Sequence, residues 1–219
     1  MTEKVKVVIV GAGPAGSACA SALAMLGIEP VVLVDKARFP RNKPCAGGLG
    51  PGTEESLKEL GLWKTVVDRS NRVTAMKAVT PSEKELCVSG SATALIMPRE
   101  KFDAILVRRA GDLGARLVTG EKVSSIMWKR RSPCGVVTET GRRIEAIWTV
   151  IAAGGGTGLL PRKRKHVFGR ILKGVLTRYE DFEVDSNTVE MYFDRDLKPA
   201  YGWVFPEGKS TANVGLCYD

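Results

Sequence analysis

Val5-Lys-Val-Val-Ile-Val10, then Gly11-Ala-Gly13-Pro-Ala-Gly16, then an Ala-rich run to Gly27 and finally Pro30-Val-Val-Leu-Val-Asp35 make up the stretch that decides how this chain folds. The first run is β-branched and closed by glycine, the pattern of a strand buried on both faces, as parallel strands are. Residues 14–26 are mostly Ala, Ser, Leu, Cys and Met and suit a helix packed close against that strand. The second Val/Leu run is another buried strand and ends on a carboxylate. Strand, Gly-x-Gly-x-x-Gly, helix, strand, acid is the order of a dinucleotide-binding βαβ unit, and each residue type has a task in it. Gly11 makes the tight turn, Gly13 lets the backbone approach a pyrophosphate, and Gly16 lets helix and strand touch. The helix N-terminal amides then face the anion. Asp35 is placed to accept hydrogen bonds from an adenosine ribose.

Residues 7–28 carry no charge, which is long enough to span a bilayer. Three glycines and a proline within residues 11–16 make that segment a poor membrane helix, and the βαβ reading is preferred. The whole chain, 219 residues with a net charge of +9, has room for one domain with a sizeable core or for one and a half. Basic runs cluster in the second half at Lys129–Arg131, Arg142-Arg143 and Arg162–Lys165. They favour anionic partners such as phosphate-bearing cofactors or acidic lipid, and equally describe a solvated basic face. Neither a recognition helix nor a zinc or aromatic-basic RNA motif is present, so nucleic acid is not an expected partner. The five cysteines are odd in number and contain no C-x-x-C pair. They form neither a disulfide framework nor a metal site, and they fit a reducing cytoplasm. The N-terminus has no signal-peptide pattern.

From Lys36 to Gly52 the chain is too rich in Pro and Gly for helix or strand. Loops of this length are usually functional or disordered. Arg38, Arg41 and Lys43 make it basic, and Cys45 stands just before Gly47-Gly48, where backbone can come close to a ligand. On the residues alone Cys45 is either a structural cysteine or a ligand-facing one.

The Gly-x-Gly-Pro-x-Gly fingerprint with its acid, followed by Phe39-Pro-Arg-x-Lys43-Pro-Cys45-Ala-Gly-Gly48, resembles the geranylgeranyl reductase family. Its members are FAD enzymes built like p-hydroxybenzoate hydroxylase that saturate isoprenoid double bonds. Further along, Arg99-Glu-Lys-Phe102-Asp-x-x-Leu106 resembles the family's Arg-x-x-Phe-Asp-x-x-Leu pattern, whose arginine approaches the flavin. Tyr201-x-Trp203-x-Phe205-Pro206 resembles its Tyr-x-Trp-x-Phe-Pro signature, which borders the substrate cavity. Without the resemblance, an aromatic face at alternate positions of a strand is as readily core as ligand wall. The resemblance implies FAD as cofactor, held through Gly11, Gly13, Ala15, Gly16, Asp35, Lys36, Lys43, Cys45, Ala46, Gly47, Gly48, Arg99, Val123 and Gly154. It implies substrate contacts at Tyr201, Trp203 and Phe205, with Cys45 and Tyr201 as the catalytic candidates. The strand running into Ala152-Ala153-Gly154 departs from the family's Ala-Asp-Gly, since Ala153 stands where the aspartate belongs, and Thr157 replaces the serine of that segment.

In chain order, a helix is expected over Gly52–Leu62, strands over Val73–Val79 and Glu85–Val88, and an amphipathic helix opening at Pro98 with Phe102, Ile105, Leu106 and Leu113 on one face. Strands follow at Arg116–Val118, Lys122–Lys129, Gly135–Thr140 and Arg143–Ile151, three of them forming a β-meander. Val167–Tyr179, Thr188–Asp194, Tyr201–Phe205 and Thr211–Cys217 read as an antiparallel sheet. The fold expected is therefore α/β: a Rossmann-like FAD-binding domain with a β-meander (residues 1–72 and 97–166) plus a partial antiparallel-sheet substrate domain (73–96 and 167–219). Family members continue past the position of Asp219 with a Gly-Asp segment that holds the flavin's ribityl and pyrophosphate. A chain ending there is expected to be an incomplete reductase.

The implied activity is hydride delivery from reduced FAD to one carbon of an isoprenoid double bond, with a proton supplied to the other. The substrate would be an isoprenoid or prenyl lipid, and the reductant NADPH or a ferredoxin-like donor. The location would be cytoplasmic, with peripheral membrane contact. The alternatives are a flavin monooxygenase acting on an aromatic substrate and a truncated non-catalytic remnant or subunit.

Overall fold

The computed structural model describes residues 2–155, 158–159, 173–181 and 183–218. Two compact units divide the chain, Met1–Arg41 with Asp103–Val167, and Asn42–Phe102 with Phe168–Asp219.

The first unit is built on a six-stranded sheet. In spatial order its strands are β6 (Arg116–Thr119), β2 (Val31–Asp35), β1 (Thr2–Val10), β9 (Arg143–Ile151), β8 (Ser132–Thr138) and β7 (Val123–Lys129). The first four run parallel, and β9, β8 and β7 then alternate in direction. The expected meander is present, and its last strand is also a full member of the parallel sheet, pairing with β1 along its whole length. Val8, Ile9, Val32, Leu33 and Val34 are entirely buried because apolar layers cover both faces. On one face Val8, Val10, Val32 and Val34 meet Val118, Val123, Val136 and Ile144. On the other, Val7, Ile9, Val31 and Leu33 meet Ala20 of helix α1 (Pro14–Met25) and Val107 and Ala110 of helix α4 (Arg99–Asp112). Each large aliphatic side chain so buried contributes about 1.5–3 kcal/mol. Small residues at 12, 16 and 20 let α1 lie close on the sheet. The uncharged stretch 7–28 is thus strand, turn and a short helix, and no helix among the described residues is long and apolar enough to cross a bilayer.

The buried stripe of α4 consists of Phe102, Leu106, Val107 and Ala110, while Ile105 is only half-buried and Leu113 lies beyond the helix end. The helix turns Ile105 toward the edge of the stripe and leaves Gly111 and Gly114 to end it, so the expected face is shifted by about one position.

The second unit carries a seven-stranded sheet ordered β10 (Lys173–Glu180), β13 (Thr211–Tyr218), β12 (Gly202–Pro206), β11 (Thr188–Tyr192), β4 (Asn71–Val79), β5 (Glu85–Ile96) and β3 (Gly48–Leu49). It is antiparallel except at one seam, where β11 runs parallel to β4. Three expectations need correction. The first concerns β5, which continues through Ile96 rather than stopping at Val88, because its second half pairs with Asn71–Val73 and with β3. The helix expected over 52–62 is the shorter α2 (Thr53–Glu59), closed at Gly61 (φ +69°), and a second short helix that was not expected, α3 (Trp63–Val67), follows it. Last, β12 starts one residue later than expected, leaving Tyr201 outside it.

Residues 42–72 and 97–102, expected with the first domain, belong to the second unit. Backbone pairing explains this: Gly48 and Leu49 pair with Ile96 and Leu95. The Asn71 amide also donates to the carbonyls of Ser186 (2.7 Å) and Pro206 (2.9 Å). Thr157, the basic run Arg162–Lys165 and the expected strand start at 167–172 lie outside the described residues.

Candidate functional site

Each unit carries one group of candidate residues. In the first, β1 delivers its chain into Gly11, whose amide donates to the Val34 carbonyl (2.7 Å) and whose φ of +101° only glycine adopts without strain. A Cβ on Gly11 would lie 2.4 Å from the Ala152 carbonyl oxygen, and one on Gly16 would lie 1.8 Å from that of Gly11. Both glycines are therefore required by protein packing. Gly13 differs, because a Cβ there meets nothing nearer than the Arg41 Nη2 at 3.8 Å. Open space thus lies over the N-terminus of α1, where Gly13 is the N-cap in extended conformation and Pro14 opens the first turn. Among the described residues no side chain caps that turn, and no acidic residue sits in it. The first-turn amides, Ala15's among them, have no intrahelical partner and a positive dipole end behind them.

Arg41 adds a cation at the same place. Its Nη2 is 2.8 Å from the carboxylate of Asp103, which is fully buried, and its guanidinium lies 5.1 Å from the Phe39 ring centroid. Nη1 is buried without a hydrogen-bond partner among the described residues. In the sequence Arg41 stands out only as part of a basic loop. The signal that could have singled it out is the pairing with Asp103, which is remote in sequence.

Asp35 ties the turn together. Its Oδ2 accepts the Ala12 amide (2.7 Å) and its Oδ1 the Ala37 amide (2.8 Å). A carboxylate offers about four acceptor positions, so the oxygens retain capacity for ribose hydroxyls. Beside it is a cavity of about 190 Å³, lined by Gly11, Val34, Asp35, Lys36, Glu121, Val123, Ala153 and Leu159. Val34, Val123 and Leu159 give it apolar walls suited to a flat base. Glu121 is held below the usual carboxylate range, chiefly by the hydroxyls of Thr140 and Thr138 and also by the Arg142 charge. Gly154 itself stands exposed at φ +77°, while Ala153 and Gly155 line the cavity. Anion-ready amides, an open Gly13, a nearby guanidinium, a ribose-capable carboxylate and an apolar slot fit an adenine dinucleotide.

In the second unit, the Cys45–Gly48 loop is pinned at several points. The Met97 amide donates to the Gly47 carbonyl (2.9 Å), and a Cβ on Gly47 (φ +79°) would meet the Met97 carbonyl at 2.5 Å. Gly48 lies over the Phe205 ring, where a Cβ would come within 3.0 Å of Cε2. Asn213 donates from Nδ2 to the Cys45 carbonyl (3.2 Å) and accepts the Trp203 indole N–H on Oδ1 (2.9 Å). Lys43, Cys45, Arg99, Arg178 and Asn213 line a cavity of about 260 Å³. Ala46 is half-buried in the same loop. Trp203 is 6 % exposed, so this ring and Phe205 serve the loop more than they form an open wall. Half-buried Tyr201 stands edge-on to Trp203 (6.2 Å between centroids) and beside Phe193 (5.8 Å).

Residues 4–169 match the FAD binding domain family, the class of flavoprotein that this fold and the nucleotide cavity define. Residues 171–218 match the geranylgeranyl reductase catalytic domain. The chain belongs to the FAD binding domain family, its C-terminal strands are similar to the geranylgeranyl reductase catalytic domain, and its cofactor is FAD. It is 31 % identical over 225 residues to the menaquinone reductase of Mycobacterium tuberculosis, covering 98 % of this chain and 55 % of that protein. It is 25 % identical to digeranylgeranylglycerophospholipid reductase 1 of Methanothermobacter thermautotrophicus, covering 99 % and 56 %. The chain thus spans about half the length of the curated relatives it matches. A geranylgeranyl bacteriochlorophyll reductase-like structure from Thermoplasma acidophilum shares the fold, with a TM-score of 0.81, 24 % identity and coverage of 100 % and 57 %.

Proposed function

We propose that this chain holds FAD for the reduction of isoprenoid double bonds in a prenyl lipid. The observation that carries the reading is the Cys45–Gly48 loop, fastened to the aromatic strand β12 through Asn213 and Phe205 beside a cavity lined by Lys43, Cys45 and Arg99. The names of the two reductase relatives support the lipid class. FAD, once bound and reduced, would supply a hydride for one alkene carbon. The chain's own residues do the rest. Gly11, Gly13, Ala15, Gly16, Asp35, Lys36, Val123 and Gly154 hold the adenosine and pyrophosphate part, while Lys43, Cys45, Ala46, Gly47, Gly48 and Arg99 attend the ring. Cys45 and Tyr201 are the proposed proton sources for the second carbon, and of the three aromatic residues Tyr201 is the one proposed to contact the substrate, with buried Trp203 packed against it. The second unit is proposed as the substrate-binding part, and NADPH or a ferredoxin-like protein as reductant. Exposed Trp128, next to Lys129–Arg131, supports a cytoplasmic protein that touches acidic membrane surfaces.

The test is to join the chain to the C-terminal half of a reductase relative, reduce the FAD-loaded protein with dithionite and add a geranylgeranyl lipid, following by mass spectrometry the gain of two hydrogens per double bond. In that extended protein Cys45→Ser should lower the rate by at least about tenfold while leaving the fold intact. An extended protein that binds FAD stoichiometrically yet leaves the lipid unchanged would overturn the reading.

A further inference from the structure

The second unit contains a polar relay whose order of dependence the reductase reading leaves unassigned. Trp203, on β12, has an indole nitrogen that can only donate a hydrogen bond. It donates to Asn213 Oδ1 at 2.9 Å, and this fixes which way the amide faces, since the flipped amide would set donor against donor. With Oδ1 so engaged, Nδ2 is turned toward the Cys45 carbonyl, to which it donates at 3.2 Å. Both side chains are buried, Asn213 to 5 % and Trp203 to 6 % exposure, so water is kept from the bond between them, while the bond to the Cys45 carbonyl is part-buried. The indole keeps its seat because residue 215 is glycine: a Cβ there would lie 2.4 Å from Trp203 Cζ2. Farther along the loop, Gly47, Gly48 and Leu49 are held by backbone pairing to β5 and Met97. At Cys45 the loop is anchored by a side chain, that of Asn213, whose orientation is set by Trp203.

We propose that Asn213 is a positioning residue that locks the Cys45 end of the loop in place only while Trp203 is seated. The aromatic cluster is thereby linked to the cysteine: Tyr201 leans edge-on against Trp203, Trp203 orients Asn213, and Asn213 holds Cys45. The importance of this link for reduction rests on the reading of the Cys45 loop given above, but the link itself is testable without turnover.

The readout is the alkylation rate of each thiol in the folded chain, followed by iodoacetamide pulses and peptide mass spectrometry. Asn213→Ala removes the donor to Cys45, and Trp203→Phe removes the donor that orients Asn213. Each should raise Cys45 reactivity about tenfold, the effect of losing one ordinary hydrogen bond. Because Trp203 acts through Asn213, the double variant should be no more reactive than Asn213→Ala alone. Cys217, two strand positions from Gly215 on the same strand as Asn213, should keep its wild-type rate. Asn213→Gln, with the same amide on a longer arm, should recover part of the protection.

An unchanged Cys45 rate in Asn213→Ala overturns the proposal. So does an equal rise at Cys217, which would mark general loosening of the sheet, and so do multiplying effects of the two substitutions. A parallel series with FAD separates the two readings. Slower alkylation of wild-type Cys45 on adding FAD supports the loop's place beside the cofactor. No FAD effect, with the Asn213→Ala rise intact, would sink that placement and leave the relay standing.

Discussion

Asp35→Ala probes both the architecture and the binding chemistry of the nucleotide unit. The carboxylate accepts the Ala12 and Ala37 amides, and these bonds hold the Gly-rich turn to the exit of β2. Leaving a buried amide unsatisfied costs about 1–3 kcal/mol, and bonds to a charged acceptor are the stronger kind. Both bonds are only part-buried, so water takes over some of the work, and the lower end applies: about 2 kcal/mol for the pair. For a chain of this size that lowers Tm by about 4–8 °C in the cofactor-free protein. A separate loss falls on FAD. If the remaining acceptor capacity of the carboxylate serves the ribose, removing it weakens binding by about 1.5–3 kcal/mol, or roughly 10- to 150-fold in Kd. Asp35→Asn should recover no more than half of the stability, because an amide can accept from one of the two N–H groups and presents a donor to the other. Scanning calorimetry on apo protein and titration with FAD measure the two effects independently. Wild-type Tm in Asp35→Ala would refute the tie between turn and strand. An FAD affinity within about threefold of wild type would refute the ribose role.

Two further results are expected. Gly13→Ala places its methyl in open space at an ordinary φ of −71°, so the variant should fold with near wild-type Tm and lose FAD affinity, whereas Gly16→Ala drives a methyl to 1.8 Å from a carbonyl and should yield insoluble or unfolded protein in expression and thermal-shift assays. Glu121, with its folded-state value depressed by Thr140, Thr138 and Arg142, contributes stability above the unfolded-state value near pH 4.3, and that contribution disappears as pH falls through the lower folded value. Glu121→Gln should therefore flatten the acid limb of a Tm-against-pH curve and leave the limb above neutrality parallel to wild type. Identical acid limbs would show that the carboxylate is not linked to folding.

The nucleotide unit was legible because its information is local. Glycine spacing, β-branched runs and a terminal acid all fall within residues 5–35, and each local preference agrees with the fold around it. The reductase loop was legible as a motif, though its mode of attachment was not. Asn213 lies 168 positions from Cys45, and a single polar residue in a strand carries no periodic signal that names its partner. Arg41 and Asp103 present the same difficulty. Helix α3 was missed for another reason: Trp63, Val66 and Val67 have weak helix propensity, and Gly61 just ahead of them signals a stop. The parallel seam between β11 and β4 escaped because alternation of apolar residues reports which face is buried and carries nothing about strand direction.

The place of β1 between β2 and β9 bears on how the protein emerges from the ribosome. The dinucleotide fingerprint is at the very front of the chain, yet one whole edge of its central strand is hydrogen-bonded to residues 143–151. At synthesis rates of about 5–20 residues per second, β1 waits roughly seven to thirty seconds for that partner. Meanwhile its Val-Ile-Val edge is an open template for other strands. The nascent chain is therefore most vulnerable to mispairing before β9 has been made, and a chaperone that shields extended apolar segments would matter most in that interval.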